Sequence, residues 1–382
     1  MIAAPTALTF FFVLFVSGCA SLIIGGHTTY GPPYKISDRA RALRNDMLIV
    51  DLHADSLLWA ADLVERNRRG HVDIPRLIEG GVGAQVFGIV TKSPARLNIE
   101  SNDDSSDTIG LLAFAHGWPP NTRSSLVLRA LYQARKLHEF AARSDGRLII
   151  VTSRADWDDY LKRRRERRDI VAGLLGVEGA HALEGDLTNV DRLFDAGIRM
   201  MSPSHFFDTD IGGSAHGIVK GGLTDLRKRL IPRLEAKGIV VDLAHASART
   251  LDDVLAIATR PVVVSHAGVR GTCDNTRNLS DEQLRAIVRT GGLIGIGYWA
   301  TAVCGRDVRD IVRAIRHAAS VAGVDHVALG SDFDGATTTP FDTTGVGQLI
   351  DGLLEDGLSE AEIRKIMGEN ASALLRRVLP ES

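Results

Sequence analysis

Two histidines, each closing a short run of β-branched residues, are the first sign of chemistry in this chain. They end Ile239-Val240-Val241-Asp242-Leu243-Ala244-His245 and Val262-Val263-Val264-Ser265-His266. Such runs read as buried parallel strands, which places both imidazoles at the same edge of neighbouring strands. A third strand ends in His53-Ala54-Asp55, whose spacing of two puts both side chains on one side of an extended segment. A fourth, Val171 to Val177, runs straight into Glu178. Singly these signals are weak: a His-x-Asp pair is common without a metal, and a buried Glu178 could equally be paired with an arginine. Together, three imidazoles and two carboxylates on four strand ends form a ligand set for two borderline metals such as zinc, with one carboxylate placed to bridge them.

The elements that must position these groups alternate. Strand signals fall at 48–53, 83–89, 171–177, 198–201, 239–245, 262–266, 292–296 and 326–330, with helical segments between them. Between the second and third come a polar loop near 100–108, a helix to about 143, a brief extension at 148–151 and a charged helix to about 168. Eight strands in this rhythm predict an α/β fold, a (β/α)8 TIM barrel, with its chemistry at the carboxyl edge. Residues 47–382 are read as one catalytic domain, and Ser359-Glu360-Ala361-Glu362 as the capping box of a late helix. With 382 residues, 45% hydrophobic and 24% charged, the chain can bury a large core. A formal charge of −2 gives no electrostatic case for nucleic acid, and the basic run at 162–168 reads as a solvated helix face.

Residues 1–18 read as a targeting segment. Its apolar core, LTFFFVLFV, is too short to span a bilayer and suits a signal peptide. Val16-Ser17-Gly18-Cys19 resembles a bacterial lipobox, which would leave Cys19 lipid-modified and the protein anchored to a membrane of the cell envelope. No Lys or Arg precedes the apolar core, and the alternative is an ordinary secretory signal cut elsewhere; both readings export the protein. Residues 19–46 then form a Gly/Pro-containing tether and a helix starting near Ser37-Asp38. Cys273 and Cys304 remain, a pair that an oxidising compartment could join, although spacing does not decide it.

Beyond these local signals the chain resembles the membrane dipeptidase (renal dipeptidase, peptidase M19) family of the amidohydrolase superfamily. The likeness is carried by HADSL at 53–57, GVEGAH at 176–181, DLAH at 242–245, VSHAG at 264–268, Arg277-Asn278 and DHVALGSDFDG at 325–335. The intervals from Glu178 to His205, His245 to His266 and His266 to Arg277 also look like the family's. The resemblance implies two Zn2+ per chain, one held by His53 and Asp55 and the other by His245 and His266, bridged by Glu178 and a water or hydroxide. It further implies Asp332 as the proton shuttle, with Asp334 the competing choice, His205 as the group stabilising the oxyanion, and Arg277 as the clamp for a substrate carboxylate. A Cys273–Cys304 disulfide is implied in the same way.

The segment from His205 to His216, richer in acid and glycine than in the animal enzymes, looks like a bacterial branch and leaves the side-chain preference open. His181 and His216 are candidates for support of the site, and the other histidines are read as structural or solvated. The function expected is hydrolysis of dipeptides with a free C-terminal carboxylate, tolerating a D-residue there. The alternatives are another amide or lactam hydrolase, such as an N-acyl-amino-acid hydrolase, and a non-catalytic exported binding lipoprotein. Small dipeptides and a membrane are the expected partners, and a homodimer is left open.

Overall fold

The computed structural model describes residues 26–224 and 229–382. The expected signal peptide and Cys19 lie outside the described residues. Eight parallel strands make the barrel wall: β1 (Ile49–Ala54), β2 (Val82–Val90), β3 (Val171–Glu178), β4 (Ile198–Met201), β5 (Val240–Val241), β6 (Val263–Ala267), β7 (Leu293–Ile296) and β8 (Val327–Leu329). Their spatial order is β5-β4-β3-β2-β1-β8-β7-β6. The ring closes where Asp242 bridges Val263 and the Leu243 N–H donates to the Val263 carbonyl at 2.7 Å. The segment at 148–151 contributes Leu148–Ile150, which pairs with β3 beside the main ring.

Alternation along the strands sorts their side chains into two layers. Val50, Leu52, Ala84, Val86, Ala172, Leu174, Met200, Val240, Val263, Leu293 and Ala328 fill the lumen. Trp157, Tyr160, Leu374 and Val378 join the same cluster from the helices Arg154–Glu166 and Asn370–Val378. The Tyr160 hydroxyl donates to the Gly83 carbonyl, which places this plug at the amino ends of the strands, opposite the expected chemistry. The other face of the wall packs on the surrounding helices.

Several helix starts follow from local sequence. Ser37 caps Asp38–Asp46, and Ser359 forms the expected capping box with Glu362. Three expectations need correction. Residues 27–30 are no loose tether, because His27–Thr28 pair with Thr338–Thr339 and Thr29 N–H donates to the Thr339 carbonyl. The basic run at 162–168 is no uniformly solvated face, since Arg164 is buried and donates to the carbonyls of Ile170 and Gly81. The fifth strand, expected to run to His245, is only two residues long. The chain turns after Asp242, and His245 takes a left-handed φ of 63°.

Candidate metal centre

His53 and His266 do not simply follow the alternation of their strands. The pairing of β1 with β2 shifts register between Asp51 and Ala54, and that of β6 with β7 between Val264 and Ala267. Irregularities of this kind re-aim side chains, and here they turn both imidazoles into the mouth of the lumen. The rings stack with centroids 3.9 Å apart. Glu178, at the end of β3, points between them. Its Oε1 lies 3.0 Å from His53 Nε2, and its Oε2 lies 3.3 Å from His245 Nε2 and 3.8 Å from His266 Nε2. Asp55 Oδ1 is 3.4 Å from His53 Nε2. All five residues expected as ligands are therefore together and buried.

The donor set fits divalent cations. His53 Nε2, Asp55 Oδ1 and Glu178 Oε1 are buried without a hydrogen-bond partner although they converge on one another. His245 Nε2 and His266 Nε2 face each other at 2.9 Å. Buried polar atoms left unpaired are costly, and a bound cation would satisfy them. Three overlapping groups can be drawn from these atoms: His53, Glu178 and His266; Glu178, His205 and His245; and His53, Asp55 and Asp332. A glycine makes room for them. A methyl on Gly88 of β2 would collide with Asp55 Oδ1 and the His53 ring. Sequence reasoning missed Gly88, since nothing local distinguishes it from any other strand glycine.

Electrostatics point the same way. Burial lifts Glu178 to about 7, with Asp55 adding to the rise and His53 opposing it. Burial pushes His205, His245 and His266 well below the usual histidine range, keeping them neutral and able to bind a metal. For His53 burial acts downward, but the carboxylates of Glu178 and Asp55 outweigh it and hold the ring well above that range. A cation must displace protons from both groups to bind. Zinc titrated into metal-free protein below neutrality is thus expected to release protons, the Glu178 share fading as pH rises through about 7. Calorimetry in buffers of different ionisation enthalpy measures it, and proton uptake would contradict the ligand assignment.

The loop after β8 separates the two candidate shuttles. Asp332 Oδ1 lies 4.0 Å from His53 Nε2. Its carboxyl is pushed well above the ordinary aspartate range by burial and then by Asp55. Asp334 is spent on structure: Ser56 Oγ donates to its Oδ2 at 2.6 Å, the His71 N–H to its Oδ1 at 2.6 Å and Trp59 Nε1 to its carbonyl at 2.7 Å. Its own N–H donates to His71 Nδ1 at 3.0 Å. That clamp supports a turn in which Asp332, Asp334 and Ala336 all have left-handed φ, between 57° and 62°. Gly335 closes the turn, because a methyl there would meet Asp332 Oδ1. His71, read from sequence as structural or solvated, is fully buried and braces this turn.

His205 Nε2 sits 3.2 Å from Glu178 Oε2, as near as the expected ligands, with its carbonyl held by Ser214 Oγ. His181 and His216 are buried around it. The Phe207 ring lies 4.9 Å from His181, and the His245 ring 5.2 Å from His216. Arg277 is also buried; it donates to the His266 carbonyl and lies 5.8 Å from the Trp299 ring. Burial lowers its guanidinium to about 10, only partly opposed by Asp332, Asp242 and Glu178. Its loop is stitched to the segment after β7 by the Cys273–Cys304 disulfide, with Cα atoms 5.2 Å apart, and by Asn278 Nδ2 donating to the Ala302 carbonyl at 2.9 Å.

A barrel with histidines and acids gathered on a carboxylate at its open end defines the metal-dependent hydrolases of this architecture. The particular family is set by sequence: residues 37–381 match the membrane dipeptidase family, peptidase family M19, and the chain belongs to it. Its enzyme class is accordingly that of a metallo-dipeptidase. A dipeptidase described as a metallo peptidase of family M19 is 26% identical, with a TM-score of 0.70 over 88% of this chain and 99% of its own. A metallo peptidase from Rhodobacter sphaeroides, liganded with a phosphinate mimic of the dipeptide L-Ala-D-Ala, is also 26% identical. Its TM-score is 0.69 over 87% of this chain and 99% of its own. An uncharacterised protein in the pqqA 5′ region of Klebsiella pneumoniae is 31% identical over 257 residues, 63% of this chain and 93% of that protein.

Proposed function

We propose that this chain is an exported dinuclear zinc dipeptidase that cleaves dipeptides with a free C-terminal carboxylate and accepts a D-residue at that position. The observation that carries the reading is the division of Glu178: Oε1 faces His53, with Asp55 beside it, while Oε2 faces His245 and His266. The Rhodobacter sphaeroides relative, which binds a mimic of L-Ala-D-Ala, supports the substrate class and the D-residue. The sequence before residue 19 supports export and a lipid anchor at Cys19.

In this reading His53 and Asp55 would hold one ion, His245 and His266 the other, and Glu178 would serve both. When bound, such ions would lower the pKa of a water and polarise the scissile carbonyl. The protein's own groups do the rest. Arg277, buried beside the His266 carbonyl, fixes the substrate carboxylate through its planar fork. Neutral His205 donates to the oxygen that becomes negative as the carbonyl is attacked. Asp332 accepts the proton of the attacking water on its carboxylate and returns it to the leaving nitrogen, which could not depart as an amide anion.

Arg277→Ala is expected to raise KM about 10- to 100-fold for substrates with a free carboxylate, the cost of a lost charge-assisted contact. Carboxamide-capped analogues should be nearly unaffected, and equal effects on both would refute the clamp. The reading as a whole is tested with a panel of L,L-, L,D- and N-acylated dipeptides, assayed before chelation, after it and after zinc return. Zinc-dependent cleavage of free dipeptides, L,D included, is expected. Cleavage of N-acyl substrates alone would sink it.

A further inference from the structure

His266 is a useful metal ligand only if Nε2 carries a lone pair, which requires its other nitrogen, Nδ1, to hold the proton. The hydrogen bonds behind the ring decide this. Asp242, just past β5, accepts the backbone N–H groups of Ala244 and Ser265 on Oδ1, at 3.0 and 2.9 Å. Its Oδ2 lies 2.6 Å from Ser265 Oγ, which lies 2.8 Å from His266 Nδ1. A carboxylate accepts and does not donate, so the single hydroxyl proton of Ser265 points at Asp242. The hydroxyl oxygen can then only accept from the ring, and His266 Nδ1 must be the N–H. All three residues are buried, with no more than 3% exposure, so the chain is shielded from water. His245 has no equivalent: its Nδ1 is buried without a partner.

We propose that Asp242 and Ser265 are positioning residues that lock His266 in the Nδ1–H tautomer and so hold Nε2 ready for the metal. The inference rests on the reading of His266 as a ligand and adds what makes it one. A related clamp joins Asp51 to the N–H and hydroxyl of Ser331 across β1 and β8, but there the hydroxyl lies 2.9 Å from the His53 carbonyl, on the main chain. Of these two clamps, the one between β5 and β6 passes its polarity to a ring.

The tautomer lock makes a counter-intuitive prediction about Asp242→Asn. Two backbone N–H groups fix the amide oxygen at the Oδ1 position, so the NH2 must take the Oδ2 position and donate to Ser265 Oγ. The hydroxyl proton is then free to turn onto His266 Nδ1, driving the ring proton to Nε2, where it blocks the metal. Ser265→Ala removes the lock without enforcing the wrong form.

The test is zinc affinity by chelator competition, with circular dichroism and melting of the metal-free proteins as the check on folding. Ser265→Ala is expected to weaken binding about tenfold, and Asp242→Asn nearer 100-fold, the range over which outer partners of ligands act. Adding Ser265→Ala to Asp242→Asn should recover affinity towards that of Ser265→Ala alone. A merely structural clamp predicts the opposite, the double variant binding more weakly than either single one. Nitrogen-15 NMR of metal-free wild-type protein reads the His266 tautomer directly and needs no variant. An Nε2–H form there, or no recovery in the double variant, overturns the proposal. His266→Ala separates the two levels: if it binds zinc as tightly as wild type, the metal-centre reading fails. If it loses zinc while Asp242→Asn does not, only the lock fails.

Discussion

Glu178→Gln is expected to abolish dipeptide hydrolysis, lowering kcat/KM on the order of 10³-fold or more, and to release metal from the purified protein. Glu178 turns its two oxygens to different imidazoles, His53 on one side and His245 and His266 on the other. Glutamine keeps the shape but turns an NH2 toward one of the two foci, placing a donor where a ligand must accept. Outer partners of metal ligands already change affinity about 10- to 100-fold, so losing a side chain proposed to serve two ions is expected to cost more. The fold should survive, because the variant relieves a buried carboxyl that burial has lifted to about 7. Metal content by elemental analysis, set beside activity and melting, checks all three. A Glu178→Gln protein that keeps both its metal and its rate would remove the bridge from the account.

Asp332→Asn separates proton transfer from metal binding. Asp332 Oδ1 stands 4.0 Å from His53 Nε2, further than Asp55 or Glu178, and the left-handed turn braced by His71 and Asp334 holds it at the edge of the cluster. Asparagine cannot accept and return a proton, and removing a positioned acid–base group lowers turnover about 10²- to 10⁴-fold. Zinc affinity and KM should change little. The comparison is steady-state kinetics with zinc content on the same preparation. Unchanged kcat would move the shuttle elsewhere. Asp334→Asn is a poor alternative, since all four polar groups of Asp334 are already committed to Ser56, His71 and Trp59.

Much of this architecture is legible in the residues because buried parallel strands are nearly all apolar. Ile198-Arg199-Met200-Met201 reads with the bounds it takes in the fold, and the strands read at 83–89 and 171–177 differ only at their ends. The candidate ligands and the strand ends that carry them are legible for the same reason: a polar residue closing an apolar run has few other places to go. What stays hidden depends on contacts distant in sequence. His245 leaves β5 through a positive φ that no local pattern announces. His71 meets Asp334 from 263 positions away, and its surroundings in the chain read as an ordinary loop. The register shifts that turn His53 and His266 inward belong to strand pairs, not to either strand alone. For Asp242 and Ser265 there is a faint signal, a hydroxyl directly before one histidine and an acid three residues before the other, but only the closure of the barrel between β5 and β6 joins them.

Whether a pair of ions shares Glu178 is tested most directly by counting bound metal against activity. Protein stripped of metal and reloaded with zinc in steps is expected to bind two equivalents, with hydrolysis of an L,D-dipeptide absent at the start and restored as the second site fills. Full hydrolysis in the stripped protein, or saturation of both binding and rate at a single equivalent, would contradict it.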